Sequence, residues 1–148
     1  MTFWRTYYHI VWSTTDRLPL ITENIETELY EYIKNKCHAL ECPLHAIGGI
    51  SDHIHLVISI PPSIAVSEVV RRIKGSSSHF TSRIKRDGIQ PGDRESTFAW
   101  QREYGVFSLG GQQLDRAVAY ALNQKEHHAQ GSIERFLEPD IIRSSQST

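Results

Sequence analysis

The run Gly48-Gly49-Ile50-Ser51-Asp52-His53-Ile54-His55-Leu56-Val57-Ile58-Ser59-Ile60-Pro61-Pro62 decides how this chain folds. Apolar and β-branched residues fill it, Ser51-Asp52 supplies a short turn, and the double proline closes it. Side chains alternate across a strand, so Ile54, Leu56, Ile58 and Ile60 share one face and His53 and His55 the other. The two histidines are then about 6.6 Å apart along the strand. Two imidazoles so spaced can chelate one metal ion. The same pattern also suits two hydrogen-bonded histidines on a half-buried strand, and the rest of the chain has to decide between these readings.

Working outward, Leu44 to Ile50 and His53 to Ile60 read as a hairpin. Upstream, Thr2 to Thr14 is rich in aromatic and β-branched residues and predicts a long first strand. Asp16 to Leu20 makes a loop. A helix capped by Thr22 or Asn24 runs to about Leu40, with Ile25, Leu29, Ile33 and Cys37 on one face, and Pro43 ends it. Downstream, Ser67 to Lys85 predicts a helix interrupted at Gly75-Ser76-Ser77-Ser78, where low helix propensity calls for a kink or a close ligand backbone. Asp87 to Ser96 is a polar loop, Phe98 to Leu109 a last strand, and Gln113 to Gln130 a final helix.

The order β, α, β, β, α, β plus one helix predicts an α+β, ferredoxin-like (split βαβ) antiparallel sheet with two helices on one face. The histidines then point to the other face, which the final helix is placed to cover. Residues 1–138 form a single domain on this reading, and 139–148 a Ser-rich, disordered tail.

The 148 residues, 39% of them hydrophobic, suffice for one core. No apolar stretch is long enough to span a membrane and no signal peptide opens the chain, so a cytoplasmic location is expected. Cys37 and Cys42 are expected to be reduced packing residues. Net charge is −1, which argues against a nucleic-acid partner until its distribution is considered. Val69 to Arg86 contains Arg71, Arg72, Lys74, Arg83, Lys85 and Arg86 and no acid, while Glu23, Glu26, Glu28, Glu31 and Glu41 crowd the first helix. A basic surface on a neutral chain is compatible with phosphate binding, although charged helices commonly serve only as solvated faces.

In the final helix Leu114, Val118 and Leu122 form an apolar stripe. At 100° per residue, Tyr120, Gln124 and His127 lie within about 60° of one another on the opposite side. The helix is therefore expected to turn Tyr120 away from its own core stripe.

Five segments occur in order: Tyr8-His9-Ile10-Val11-Trp12; Asp52-His53-Ile54-His55-Leu56 with Ile60-Pro61-Pro62; Lys74-Gly75-Ser76-Ser77; Trp100-Gln101 with Tyr104-Gly105-Val106-Phe107-Ser108; and Tyr120-Ala121-Leu122-Asn123-Gln124 with Glu126-His127-His128. Together they resemble the IS200/IS605-type single-tyrosine transposases of the HUH endonuclease superfamily, including the REP-associated tyrosine transposases. A His-x-His alone is weakly specific; the ordered set is not. The chain departs from the REP-associated pattern at Glu103, where a glycine is expected.

The resemblance implies a transposase acting on single-stranded DNA at imperfect hairpins, with cleavage and rejoining through a 5′-phosphotyrosine. It implies Tyr120 as nucleophile, His53 and His55 as ligands of Mg²⁺ or Mn²⁺, and Gln124 as third ligand, with Asn123, His127 and His128 as helpers. A phenol with a pKa near 10 attacks a phosphodiester poorly unaided, and a divalent ion offsets that weakness by neutralising phosphate charge. Arg71, Arg72, Lys74, Gly75, Ser76 and Ser77 are expected to contact DNA phosphates. A homodimer, a nucleoid-associated location and no organic cofactor are further expectations.

Tyr104 is a rival nucleophile whose strand position beside Gly105 suits packing or base stacking better. Other His-x-His hydrolases and two-motif phosphodiesterases lack their remaining signatures here. A catalytically inactive, domesticated nucleic-acid-binding ferredoxin-like domain is the main alternative, with Tyr104 to Phe107 as its aromatic platform.

Overall fold

The computed structural model describes residues 2–87 and 98–132, with the side chains of 85–87 excepted. The expected loop over 88–96 and the tail with its boundary at residue 138 lie outside the described residues.

The elements are β1 (Tyr7–Ser13), α1 (Glu23–Ala39), β2 (Leu44–Ile50), β3 (His53–Ser59), α2 (Val66–Asp87), β4 (Gly105–Leu109), α3 (Leu114–Leu122) and α4 (Gln124–Gln130). The strands form one antiparallel sheet in the order β2-β3-β1-β4, the α+β ferredoxin-like arrangement. Ile54, Leu56, Ile58 and Ile60 are buried with Ile10, Trp12 and the α1 stripe Ile25, Leu29, Ile33 and Cys37. Each such aliphatic side chain, fully buried, contributes about 1.5–3 kcal/mol. This apolar cluster also takes in Val69, Val70 and Ile73 of α2. Cys37 and Cys42 are buried there as free thiols.

The first strand is shorter than expected. Tyr7 pairs with Ser59 and the last bond beyond it is from Ile60 N to Thr6 O; Pro61-Pro62 then removes the donors a longer β1 would need. Phe3 is 77% exposed.

The expected interruption of the second helix does not occur, because α2 runs unbroken through Gly75. The hydroxyls fold back on their own helix, Ser76 Oγ donating to Arg72 O at 2.7 Å and Thr81 Oγ1 to Ser77 O at 2.7 Å. In this way they satisfy themselves without diverting the backbone ladder.

The last strand is also reduced, to an isolated bridge between Thr14 and Trp100 followed by β4. Between them Lys74 Nζ donates to the carbonyls of Gln101, Arg102 and Glu103. Three successive carbonyls gathered on one ammonium cannot alternate as a strand requires.

The final helix is two helices. Asn123, at φ −105° and ψ 26°, ends α3 and begins α4, and its Nδ2 donates to Ala119 O at 2.9 Å. The orientation of α3 also corrects the expectation: Ala117, Tyr120 and Ala121 are the buried face, while Leu122 is 60% exposed. Tyr120 belongs to a second cluster with Ala46, Val57, Leu109, Ala117 and Ala121. Leu114 and Val118 of the expected stripe are partly buried at the edge of this cluster, so the helix is rolled toward Tyr120 and the alanines rather than reversed.

Candidate active site

Strand register brings the polar residues together. On the sheet face opposite α1 and α2, His53 is opposite Ser13, His55 lies between Val11 and Gly48, and His9 pairs with Val57 and Phe107. His9, His53 and His55 are fully buried. Buried imidazoles need partners, and each ligand candidate has one at Nδ1. His55 Nδ1 shares a 2.7 Å hydrogen bond with His9 Nε2, the two rings stacking at 4.9 Å. His9 stacks in turn on Phe107. His53 Nδ1 donates to Asp52 Oδ1 at 2.7 Å, and the other carboxylate oxygen accepts from Arg17 at 3.1 Å. Burial pushes the Asp52 carboxyl up, but hydrogen bonding and charge from His53 and Arg17 outweigh it and hold it below the usual carboxylate range.

The helical wall is seated by missing atoms. A Cβ on Gly48 would lie 1.9 Å from Ala121 O, so α3 rests on β2 where only glycine allows it. Ala117 and Ala121 complete the small contact surface. That seat delivers Tyr120, whose ring meets His55 edge-on at 5.7 Å and His9 at 6.5 Å. The residue is 2% exposed.

After the break at Asn123, α4 adds three of the expected residues. Gln124 is buried; its Nε2 donates to Tyr120 O and its Oε1 accepts from His128 Nε2, each at 3.0 Å. His128 lies 4.7 Å from His53, centroid to centroid, and His127 lies 4.7 Å from Tyr120. His127 Nδ1 also shares a 2.9 Å hydrogen bond with Ser132 Oγ.

Among the described residues, His53, His55 and His128 bring one ligand atom each within 4.8 Å of one another. His53 Nε2 is buried and has no hydrogen-bond partner. With Nδ1 holding its proton against Asp52, the lone pair on that Nε2 points inward, as a metal ligand must. The residues present therefore fit a divalent ion.

The expected DNA contacts are on α2, on the other side of the sheet. Arg71 and Arg72 both pair with Glu68 on the surface; such exposed pairs are weak and yield readily to a phosphate. Gly75 is exposed. Ser77 is fully buried, donating to Lys74 O and accepting from Trp100 Nε1 at 2.9 Å, so its hydroxyl is a packing contact and is closed to phosphate. Lys74 is held by the carbonyls of residues 101–103 and faces the Tyr104 ring at 6.0 Å. Tyr104 packs against the α1–α2 cluster, on the opposite face from His53 and His55.

Sequence reasoning gave no role to His9, Asp52 or Arg17. His9 carries a signal only once β1 is placed beside β3, when its alternation puts it on the histidine face. Asp52 reads as a turn residue until its carboxylate is seen against its neighbour.

The site is thus an antiparallel α+β sheet with paired strand histidines and a tyrosine-bearing helix laid over them. The family "Transposase IS200 like" matches residues 2–124, and the chain belongs to that family. Its fold is similar to that of a candidate transposase from Deinococcus radiodurans R1, at 19% identity and TM-score 0.64, covering 81% of this chain and 92% of that one. It is also similar to a REP-associated tyrosine transposase bound to a REP hairpin, at 14% identity and TM-score 0.60, covering 90% and 76%. No curated protein sequence matches the chain.

Proposed function

We propose that the chain is a metal-dependent single-stranded DNA endonuclease and strand transferase in which Tyr120 forms a covalent 5′-phosphotyrosine at hairpin-marked sites. The observation that carries this reading is the convergence of three imidazoles beside the Tyr120 ring, with His53 and His55 each tied at Nδ1. The hairpin bound by the REP-associated structural neighbour supports hairpin DNA as the substrate class.

His53, His55 and His128 would hold the divalent ion, which when bound would supply positive charge to offset that of the phosphodiester. Gln124 then acts by holding His128, and through Tyr120 O it links the nucleophile's helix to the ligand's helix. The phenol of Tyr120 gives up its proton as its oxygen forms the bond to phosphorus, and the bond from phosphorus to the 3′ oxygen breaks, that oxygen taking up a proton to leave as a 3′-hydroxyl. In the reverse direction a 3′-hydroxyl displaces the tyrosine, so rejoining needs no external energy source. Three imidazole donors suit Mn²⁺ better than Mg²⁺, which favours oxygen ligands. Arg71, Arg72, Gly75 and Ser76 are the α2 positions open to the phosphate backbone. The working setting on this reading is nucleoid DNA in the cytoplasm, with two chains forming a homodimer.

The 2% exposure of Tyr120 favours one second reading, an inactive hairpin-binding descendant whose tyrosine is only packing. Incubation with Mn²⁺ and end-labelled single-stranded hairpin DNA from beside the gene separates them. A denaturation-resistant protein–DNA adduct, lost in Tyr120→Phe, is expected. Binding without any adduct establishes the second reading, and an adduct that survives Tyr120→Phe removes Tyr120 as nucleophile.

A further inference from the structure

The turn after β1 is unusual in a way the reaction chemistry does not require. Asp16 and Arg17 both adopt positive φ, 50° and 54°, a left-handed pair that L side chains rarely hold. Its ends are fastened: Arg17 N donates to Thr14 O, Leu18 N to Thr15 O, and Thr14 N to Asp52 O at 2.8 Å. Ile21 N donates to Ser51 O. The turn is thereby tied to the β2–β3 hairpin on both sides.

This arrangement directs the Arg17 side chain inward, where it is 14% exposed, onto Asp52 Oδ2 at 3.1 Å. The opposite carboxylate oxygen holds His53 Nδ1 at 2.7 Å. Asp52 is in a two-residue turn and its side chain is 20% exposed. Without a second anchor, its short side chain is free to rotate toward water.

We propose that Arg17 is a positioning residue of the metal centre: through Asp52 it fixes the tautomer and direction of His53, and so sets affinity for a divalent cation. The proposal rests on the reading of His53 as a ligand. Arg17 acts through Asp52, keeping one oxygen of its carboxylate on His53 Nδ1 so that Nε2 stays an acceptor. Partners of this kind beyond a metal ligand commonly change affinity by about 10–100-fold.

Glycine suits a left-handed position, so Arg17→Gly removes the guanidinium while relieving the backbone, and Asp16→Gly relieves the backbone next to it at the loss of an exposed carboxylate but keeps the guanidinium on Asp52. In the full chain, free Mn²⁺ is titrated by its electron paramagnetic resonance signal. Long-range ¹H–¹⁵N correlation reports the His53 tautomer in the metal-free protein. Arg17→Gly is expected to weaken Mn²⁺ binding by about tenfold or more and to turn a single Nδ1–H tautomer into a mixture. Asp16→Gly is expected to match the wild type in both. Wild-type affinity and tautomer in Arg17→Gly, or an equal loss in Asp16→Gly, overturns the proposal. If the wild-type chain takes up no Mn²⁺, the ligand reading of His53 falls, and the tautomer comparison still decides whether Arg17 governs His53.

Discussion

Gly48 and Ala121 meet backbone to backbone: a Cβ on the glycine would lie 1.9 Å from the alanine's carbonyl oxygen. One strand and one helix thus form the two walls of the site with nothing between them. The seat fixes how far Tyr120 stands from His55.

Gly48→Ala should destabilise the fold by about 1–3 kcal/mol, because backbone rather than a flexible side chain must move. Urea unfolding measures the loss, and adduct formation should fall further than stability as α3 lifts. Wild-type stability in this variant would show that α3 is not seated as described.

Gly75 has open space around its missing side chain and lies inside the continuous helix α2. Gly75→Ala should therefore stabilise the protein by about 0.5–1 kcal/mol. Hairpin affinity, followed by fluorescence anisotropy, tells whether DNA uses the space. A drop would mean that the DNA backbone reaches this turn.

His9→Ala leaves buried His55 without its Nδ1 partner and should cost about 1–3 kcal/mol of stability. Mn²⁺ affinity measured calorimetrically should fall about 10–100-fold. His9→Gln, which retains an acceptor, should recover part of both. Equal losses in the two variants would make His9 a space-filler only.

Mn²⁺ should raise the melting temperature more than Mg²⁺ at equal concentration if the proposed site is used, since the group that could hold the ion is three imidazoles. At a hundredfold excess over Kd the stabilisation is about 2.7 kcal/mol, and chelation should abolish it. His128→Ala should narrow the difference between the ions; an undiminished difference would remove His128 from the ligand set.

Burial first, then proximity to Cys42, pushes the Cys37 thiol up to about 12 from 9.0. A thiol whose pKa is raised by folding stabilises the fold below its unfolded value and loses that contribution as pH climbs through the folded one. The urea midpoint should decline between these limits, and native Cys37 should resist thiol reagents near neutrality. Rapid labelling of the folded chain would contradict its burial.

The hairpin and α1 were legible because their periods are simple: alternation in His53 to Ile60, four-residue spacing from Ile25 to Cys37. His53 and His55 could be placed on one face for the same reason. The tertiary settings were not legible. The stripe Leu114, Val118 and Leu122 promised the buried face; Leu114 and Val118 do pack at the edge of the second cluster, but the close approach at Gly48, Ala117 and Ala121 rolls the helix toward Tyr120 and leaves Leu122 exposed. Gly75 and three serines suggest a break, but Ser76 and Ser77 return their hydroxyls to carbonyls of their own helix and Ser78 donates to Phe98 O, which removes the need for one. Asn123 reads as helical from its place between Leu122 and Gln124, although its side chain donates to Ala119 O where the chain turns. His9 and Arg17 act through residues far from them in sequence, so nothing local marks them.

The two faces of the sheet carry different loads. Ile54, Leu56 and Ile58 anchor the side covered by α1 and α2, while His9, His53 and His55 occupy the other under a small cluster of alanines and one tyrosine. The apolar cluster under α1 and α2 contains none of these histidines and not Tyr120, so the scaffold and the candidate site are two separately packed halves of one sheet.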